Sequence, residues 1–471
     1  MSVEIRRLVA GTDDVFGAIA RERNRQEEGI GATVAAIIAD VRRRGDAALL
    51  ESARRFDAPG LTSLRVTAEE MDRATLPRLQ FEAIRTALLR VRHFHITQLE
   101  VLLGGTFDFS PHHIADVLEL RARRTPIAAK WAIGRRPSAI PFRSPVSREF
   151  GVGQIVRSMD AAGIYVPGGG ASYPSSVIMN AVPAAVAMVP RIAVTTPAMP
   201  DGTLSDAVLV ALREVGVDEA YKVGGAAAIA ALALGTESIA RVDKIAGPGN
   251  RWVNEAKRQL WGTVGLDGYA GPSEVLVIAD QAARPEIAAV DLLTQIEHAP
   301  DNAAFLIGIG PGVTDAILRA ADGIIRQEPR AAILREALRD RSLAIEARDL
   351  SEALAIANVV ACEHVSLAIE HSERALKDLR HAGCVLLGET TPEAAGDYVA
   401  GPSHTLPTGG AARWQSPVNA FDFLRFQSVI GLNAEELRDL APAIEAIGEM
   451  EGLPLHGSAG VRRLESNDPD H

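Results

Sequence analysis

A chain of 471 residues exceeds what one simple core organises, which points to two principal domains with appendages. Its formal net charge of −11 argues against nucleic acid as the main partner, because phosphate binding demands a cationic footprint. With 47% hydrophobic and 23% charged residues and two cysteines outside any CxxC pair, it reads as a soluble globular protein with neither a disulfide framework nor a cysteine zinc site.

The start, MSVEIRRLVAGTDD, lacks the apolar segment of a secretion signal. The most apolar region, Val177 to Pro200, is interrupted by Pro183, Pro190, Arg191 and Pro197, short of the roughly 20 apolar residues of a spanning helix. A cytoplasmic protein with no membrane partner is expected. Residues 1–32 read as an N-terminal arm. From Thr33, Val34, Ile37, Ile38 and Val41 form one helical stripe that Gly45 ends, and Asp46 caps a second helix carrying Leu49 and Leu50 inward. A third helix is predicted from Phe81 to Glu100, where His93 and His95, two apart, splay around the axis and do not share a metal. The stretch Val101 to Arg148 differs from the rest: it holds His112 and His113, basic clusters at Arg121, Arg123, Arg124, Arg135 and Arg136, and prolines at 126, 137, 141 and 145. It reads as an inserted surface loop, with a partner-binding element as the alternative.

Beyond Val152 strands and helices alternate. GIYVPGGG (163–170), RIAVTTP (191–197), AYKVGG (220–225), KIAGPGN (244–250) and SEVLVIAD (273–280) read as strands, with helices through Val177, over Asp206 to Val215 and over Ala226 to Leu234. The alternation resumes with AAFLIGIG (303–310), a helix over Asp315 to Ile325, SLAIEA (342–347) and AGCVLLG (382–388). Two parallel α/β sheets covered on both faces follow from this pattern. Ligands in such sheets sit at the carboxyl ends of strands, where the glycine turns 168–170 and 247–249 fall. No intact GxGxxG occurs, since GIGPGV at Gly308 fails at its last position, so nicotinamide binding does not follow from glycine spacing.

Several groups suit chemistry. In DLLTQIEHAP (291–300), Leu292, Leu293 and Ile296 face a core and leave Gln295 and His298 three apart on one helical turn, where two donor atoms can converge on one point. ACEHVSL places Glu363 beside His364, a carboxylate and an imidazole suited to acid and base work. Asp397 and His404 lie in a loop rich in Gly, Pro and Ser, Glu451 and His456 near the carboxyl terminus, and Ser273 just before a strand. Singly, each has an ordinary structural explanation as a cap, a loop hydrogen bond or a surface residue. Zinc or manganese accepts a Gln oxygen, an Asp oxygen and two imidazoles together. No HExxH appears, which disfavours a zinc hydrolase.

Six long motifs join these groups: YVPGGGASYPSSVIMNAVPA, DKIAGPGNRWVNEAKRQLWGTVGLDGYAGPSEVLVIAD, DLLTQIEHAPD, ACEHVSL, AGDYVAGPSHTLPTGGAARW and MEGLPLHG. In order and spacing they resemble histidinol dehydrogenase, from Gly151 to Arg463, and RRRGDAALLESARRFD extends the likeness toward the amino terminus. The resemblance implies two Rossmann-like parallel-sheet domains with helical N-terminal and C-terminal tail elements. The expected layout is residues 33–164 with 275–418 as the first domain, carrying the atypical insertion near 101–148, residues 165–274 as the second, and residues 419–471 as a tail reaching a partner subunit. It implies Gln295, His298, Asp397 and His456 as zinc ligands that also meet substrate, with His456 offered across a homodimer. Glu363 and His364 match the acid/base pair, and Ser273, His404 and Glu451 match substrate contacts. Tyr165 and Asn250 match positions lining the NAD site, and Ala227 stands where the family has a cofactor-contacting glutamine.

The implied reaction oxidises L-histidinol through L-histidinal to L-histidine, in two hydride transfers to NAD, as the last steps of histidine biosynthesis. An alternative keeps zinc and NAD but changes the alcohol, for example to a sulfonated diol. Retention of Glu363, His404 and Glu451 disfavours that substrate, since Arg or Lys would better meet a sulfonate. A non-catalytic metal-binding or interaction protein is the third reading, motivated by Ala227 and the basic insertion.

Overall fold

A computed structural model describes residues 3–23, 29–103, 152–168, 172–268 and 270–465. Most of the 101–148 stretch, including His112 and His113, and the glycines 169 and 170 lie outside the described residues. In chain order the first strands are β1 (Arg6–Val9), β2 (Val152–Ser158), β3 (Ala161–Tyr165), β4 (Arg191–Thr196), β5 (Glu219–Lys222), β6 (Lys244–Ala246) and β7 (Gly265–Leu266). They are followed by β8 (Glu274–Ala279), β9 (Ala303–Ile309), β10 (Leu343–Ala347), β11 (His364–Ala368), β12 (Cys384–Leu387) and β13 (Leu424–Ile430). By contact density the chain divides into two compact units, residues 1–131 with 159–423, and residues 132–158 with 424–471.

The first unit holds two all-parallel sheets. One runs β1-β10-β9-β8-β11-β12 and the other β5-β4-β3-β6-β7. Side chains alternate across the six-stranded sheet. Leu276, Ile278, Phe305, Ile307, Ile345 and Val365 enter one core with helices Val15–Arg23 and Leu350–Val360. Val275, Val277, Ala304, Leu306 and Ala344 enter the other with helices Pro285–Thr294, Val313–Ile325 and Ala331–Arg341. Burial on both faces explains why EVLVIA and AAFLIGI are unbroken apolar runs.

The amino-terminal segment differs from a separate arm. Its strand β1 pairs with β10 in parallel, Arg6 opposite Leu343, so the first residues close the edge of the six-stranded sheet. Helices Gly31–Arg44 and Asp46–Phe56 likewise pack away from the sheet that the sequence reading gave them. Their Val34, Ile38, Val41 and Leu49 share a core with Ala226 to Ala233 and Ile245, on the five-stranded sheet. Gly45 separates the two helices with a positive φ of 53°, a conformation that favours glycine. The third helix spans Arg78–Leu103, and its His93 and His95 do point apart, one exposed and one buried. Among the described residues no helix is long and apolar enough to cross a membrane.

The second unit pairs β13 with β2 antiparallel and adds a helical hairpin, Ala434–Met450 and Pro454–Glu465. Asn433 and Glu436 form a reciprocal cap at the start of the first helix. The helices meet through glycine: a β-carbon at Gly448 would collide with the Gly457 nitrogen, and one at Gly460 would press on Ala441. Gly448→Ala is therefore expected to weaken the hairpin by about 1–3 kcal/mol, the usual cost of overpacking. Faster hydrogen exchange over residues 434–465 would report it. Gly431→Ala, whose β-carbon would meet nothing within 4 Å, is the matched control and should leave exchange unchanged.

Candidate active site

A cleft of about 1060 Å³ opens between the two sheets of the first unit. Its walls come from opposite kinds of strand end. On the five-stranded sheet the lining follows strands: Pro167 lies beyond β3, and Pro248, Gly249 and Asn250 lie beyond β6. On the six-stranded sheet it precedes them: Ser273 leads into β8, Asn302 into β9 and Glu363 into β11. The cleft thus lies beyond carboxyl ends of strands at the glycine turn and before amino ends of strands at Glu363 and His364. The ladder explains why. β11 lies between β8 and β12, with His364 opposite Val275 on one side and Cys384 on the other, so the starts of these strands form one edge.

Gln295 and His298 sit on a turn rather than within a helix, which corrects the helical reading. Helix Pro285–Thr294 stops at Gln295, its C-cap, and the His298 N–H donates to the Gln295 carbonyl at 3.3 Å. The i, i+3 spacing still brings both to one side, and both line the cleft. Asn302, buried, holds this turn in place: its Nδ2 donates to the Gln295 carbonyl at 2.8 Å and its Oδ1 accepts from the Ser273 N–H at 3.1 Å. Arg330 Nη2 donates to the His298 carbonyl at 3.2 Å. Gln295 Nε2 reaches Asp397 Oδ2 at 2.9 Å across 102 residues of chain.

His364 is enclosed, only 2% exposed. Its Nε2 lies 3.2 Å from Asp397 Oδ1, and its Nδ1 lies 3.6 Å from Glu393 Oε1 and 3.8 Å from Glu363 Oε2. Neither ring nitrogen makes an aligned hydrogen bond among the described residues. Burial disfavours the imidazolium, yet Glu363, Asp397 and Glu393 outweigh it and hold the His364 pKa above the ordinary histidine value. Glu363 accepts from the Glu274 N–H at 2.7 Å, and burial pushes its carboxyl up to about 8 against the opposing pull of His364. Asp397 behaves in the reverse way: burial would raise its pKa, but the contact with His364 leads the interactions that bring it below the usual aspartate value. His404 lines the cleft with a buried, unpartnered Nε2, and burial lowers its pKa against the attraction of Asp397, favouring the neutral ring.

Three buried groups behind this cluster escaped the sequence reading. Glu393 is 1% exposed, neither of its oxygens has a hydrogen-bond partner among the described residues, and burial raises its pKa well above the usual glutamate value. Asp291 accepts from the Ser366 hydroxyl at 2.7 Å. A signal was present: Glu393 precedes Asp397 by one helical turn and Asp291 precedes Gln295 by the same interval, while Ser366 follows His364 by one strand repeat.

The remaining expected residues separate. Asn250 lines the cleft and caps helix Arg251–Leu260, its Oδ1 accepting from Trp252 and Val253 N–H groups at 3.1 and 3.2 Å. Tyr165 and Ala227 are not brought to the lining. Tyr165 is 3% exposed, and its hydroxyl accepts from the Gly225 N–H at 3.2 Å; Ala227 is 2% exposed in the alanine-rich core. Glu451 and His456 belong to the second unit, Glu451 ending helix Ala434–Met450 and His456 lying in helix Pro454–Glu465, both exposed.

A family model described as histidinol dehydrogenase matches residues 20–123 and 137–464. The chain is 39% identical over 473 residues to a histidinol dehydrogenase of Gloeobacter violaceus, covering 99% of this chain and 97% of the relative. It is 41% identical over 441 residues to one of Synechococcus, covering 93% of each. A crystal structure of histidinol dehydrogenase from Elizabethkingia anophelis superposes with a TM-score of 0.84 at 30% identity, covering 99% of both chains. On the extent of these matches the chain belongs to the histidinol dehydrogenase family, and it is an oxidoreductase.

Proposed function

We propose that this protein is a zinc- and NAD-dependent histidinol dehydrogenase that oxidises L-histidinol through the aldehyde to L-histidine. The observation that carries the reading is the meeting of Gln295, Asp397 and His364 at the cleft, from three distant parts of the chain. A nitrogen and oxygen donor set of Gln295, His298 and Asp397 suits zinc, and a half-turn of the Gln295 amide presents an oxygen beside the Asp397 carboxylate. Among the described residues no three His, Cys, Asp or Glu side chains are grouped to hold an ion alone. The proposed set therefore relies on Gln295 and on His456 supplied by a second copy of the chain. Exposed apolar residues on the hairpin that carries His456, namely Leu440, Ile447, Met450, Leu453 and Leu455, support such pairing. Asn250, at the capped helix start in the cleft, supports dinucleotide binding there.

When bound, the cofactors would supply a Lewis acid for the substrate's amine and imidazole, an offset to the Asp397 charge that favours the His364 cation, and a hydride acceptor. The protein's own residues do the rest. His364, once it has given up the proton that its carboxylate neighbours favour, takes the alcohol proton. Glu363 takes a proton from the water that hydrates the aldehyde, before the second oxidation. His404 offers a neutral ring to substrate, and Ser273 stands at the same wall. Enclosure of Glu363 and His364 limits water to what the reaction consumes.

Purified protein loaded with zinc is expected to form two NADH per L-histidinol consumed, and removal of zinc with a chelator to abolish turnover until zinc is restored. Absence of NADH formation with histidinol at any NAD concentration would refute the substrate. The Glu363 carboxyl, raised to about 8, and the His364 ring, held above the ordinary histidine value, must each lose a proton to act as a base, so kcat/KM is expected to climb with pH through about 8. Glu363→Gln should lower the rate by about 10²–10⁴-fold and flatten that climb. A climb retained unchanged in the variant would assign the ionisation to another group.

A further inference from the structure

We infer that the buried Lys257–Asp267 ion pair is a clamp that fixes the Gly247–Asn250 turn in the shape the dinucleotide meets, making both side chains positioning residues for NAD. The inference rests on the proposed use of NAD at this cleft.

Lys257 and Asp267 are each 2% exposed at the side chain, and their Nζ to Oδ1 distance is 2.7 Å. Both also grip one residue: Lys257 Nζ donates to the Gly247 carbonyl at 2.6 Å, and Asp267 Oδ2 accepts from the Gly247 N–H at 2.8 Å. Gly247 has a φ of 122°, and a β-carbon there would collide with the Tyr165 carbonyl oxygen, so the turn is pinned against β3. Asn254, one turn before Lys257 on helix Arg251–Leu260, adds a third hold. Its Nδ2 donates to the carbonyls of Gly249 and Ala270, each at 2.8 Å. Both carbonyls of the turn named here are thus taken by the helix behind it, while Pro248, Gly249 and Asn250 line the cleft. Through Ala270 the same network reaches the segment that ends in Ser273.

A stability role alone does not account for this pair. Buried ion pairs lose much of their attraction to desolvation, and well-packed apolar replacements of similar volume are often as stable or more so. Nor does the pair attract a pyrophosphate by charge, because its two charges cancel beneath the turn. What it does accomplish is geometric: it satisfies both polar groups of a glycine that no other residue could replace, and it leaves the turn's outer face ordered before a ligand arrives.

The test uses the zinc-loaded full-length enzyme and varies NAD and histidinol independently. Turnover of the wild type establishes the parent reading first. In Lys257→Met/Asp267→Asn, Asn keeps an acceptor for the Gly247 N–H while the charges and the bond to the Gly247 carbonyl are lost. The expected result is a KM for NAD raised about tenfold, with kcat at saturating NAD, KM for histidinol and zinc content within about twofold of wild type. A folded variant with unchanged KM for NAD would overturn the proposal. Should the variant not fold, hydrogen exchange of the wild type decides: protection of residues 247–250 without NAD supports the clamp, and protection only after NAD is added overturns it. Failure of the wild type to reduce NAD would sink the parent reading, while exchange without NAD would still show whether the clamp holds the turn.

Discussion

The structure of the first unit is constrained above all by the enclosure of His364 among carboxylates. Glu363, Glu393 and Asp397 stand within 3.8 Å of one imidazole that is 2% exposed, with Asp291 close behind. Such groups repel one another, and they resist ionisation away from water. Only a stiff frame keeps them together, and the frame is the start of β11 between β8 and β12, where neighbouring strands hold Glu363 and His364 by backbone pairing. The opposite shifts of Glu363 and Asp397 follow from the same enclosure: burial raises both, and at Asp397 the contact with His364 outweighs it, whereas at Glu363 burial wins over the attraction of His364 and the Glu274 N–H. Two carboxylates with separated pKa values beside one histidine is the arrangement that assigns distinct proton roles to chemically similar groups.

The cleft walls divide the work accordingly. Beyond the carboxyl ends of β3 and β6 the lining is a glycine turn and a capped helix start, backbone surfaces suited to a nucleotide. Before the amino ends of β8, β9 and β11 the lining is side chains, each backed by another. Gln295 is backed one turn earlier by Asp291, Asp397 one turn earlier by Glu393, and His364 one strand repeat later by Ser366. Asp291 and Ser366 bond to each other, which ties two of these rows together beneath the site. Helical and strand periodicities, both ordinary, thus stack a cleft-lining layer on a supporting one.

Much of this was legible in the sequence because it is local. Continuous apolar runs such as EVLVIA announced buried parallel strands, and the motifs around Gln295, Glu363, Asp397 and His404 drew attention to residues that the cleft gathers. What escaped the reading is what depends on partners far along the chain. Asn302 matters because of Ser273, 29 residues earlier, and β1 matters because of β10, more than 300 residues later. Neither pairing leaves a mark on composition or period. The helical assignment of His298 failed for a different reason: apolar periodicity persists through Ile296, while the backbone has already left the helix at Gln295. The sheet against which the early helices pack is not legible in them either, because an amphipathic stripe says that a face is buried without saying against what.

The second unit has a contrasting character that bears on the proposed metal site. Leu440 and Ile447 lie two turns apart on one stripe of their helix, and with Met450 and Leu455 they leave apolar surface uncovered on the hairpin that carries His456. The hairpin is nevertheless built closely, with glycines where the helices touch, so the exposed stripe is presented by a well-packed element rather than by a loose tail. If His456 of this unit completes a donor set begun by Gln295, His298 and Asp397 on another copy, metal retention and pairing become two readings of one equilibrium. An ion that binds the paired form better stabilises pairing, and by the same free energy pairing tightens the hold on the ion. Dividing the ligands between copies would then make an isolated chain a weak metal site.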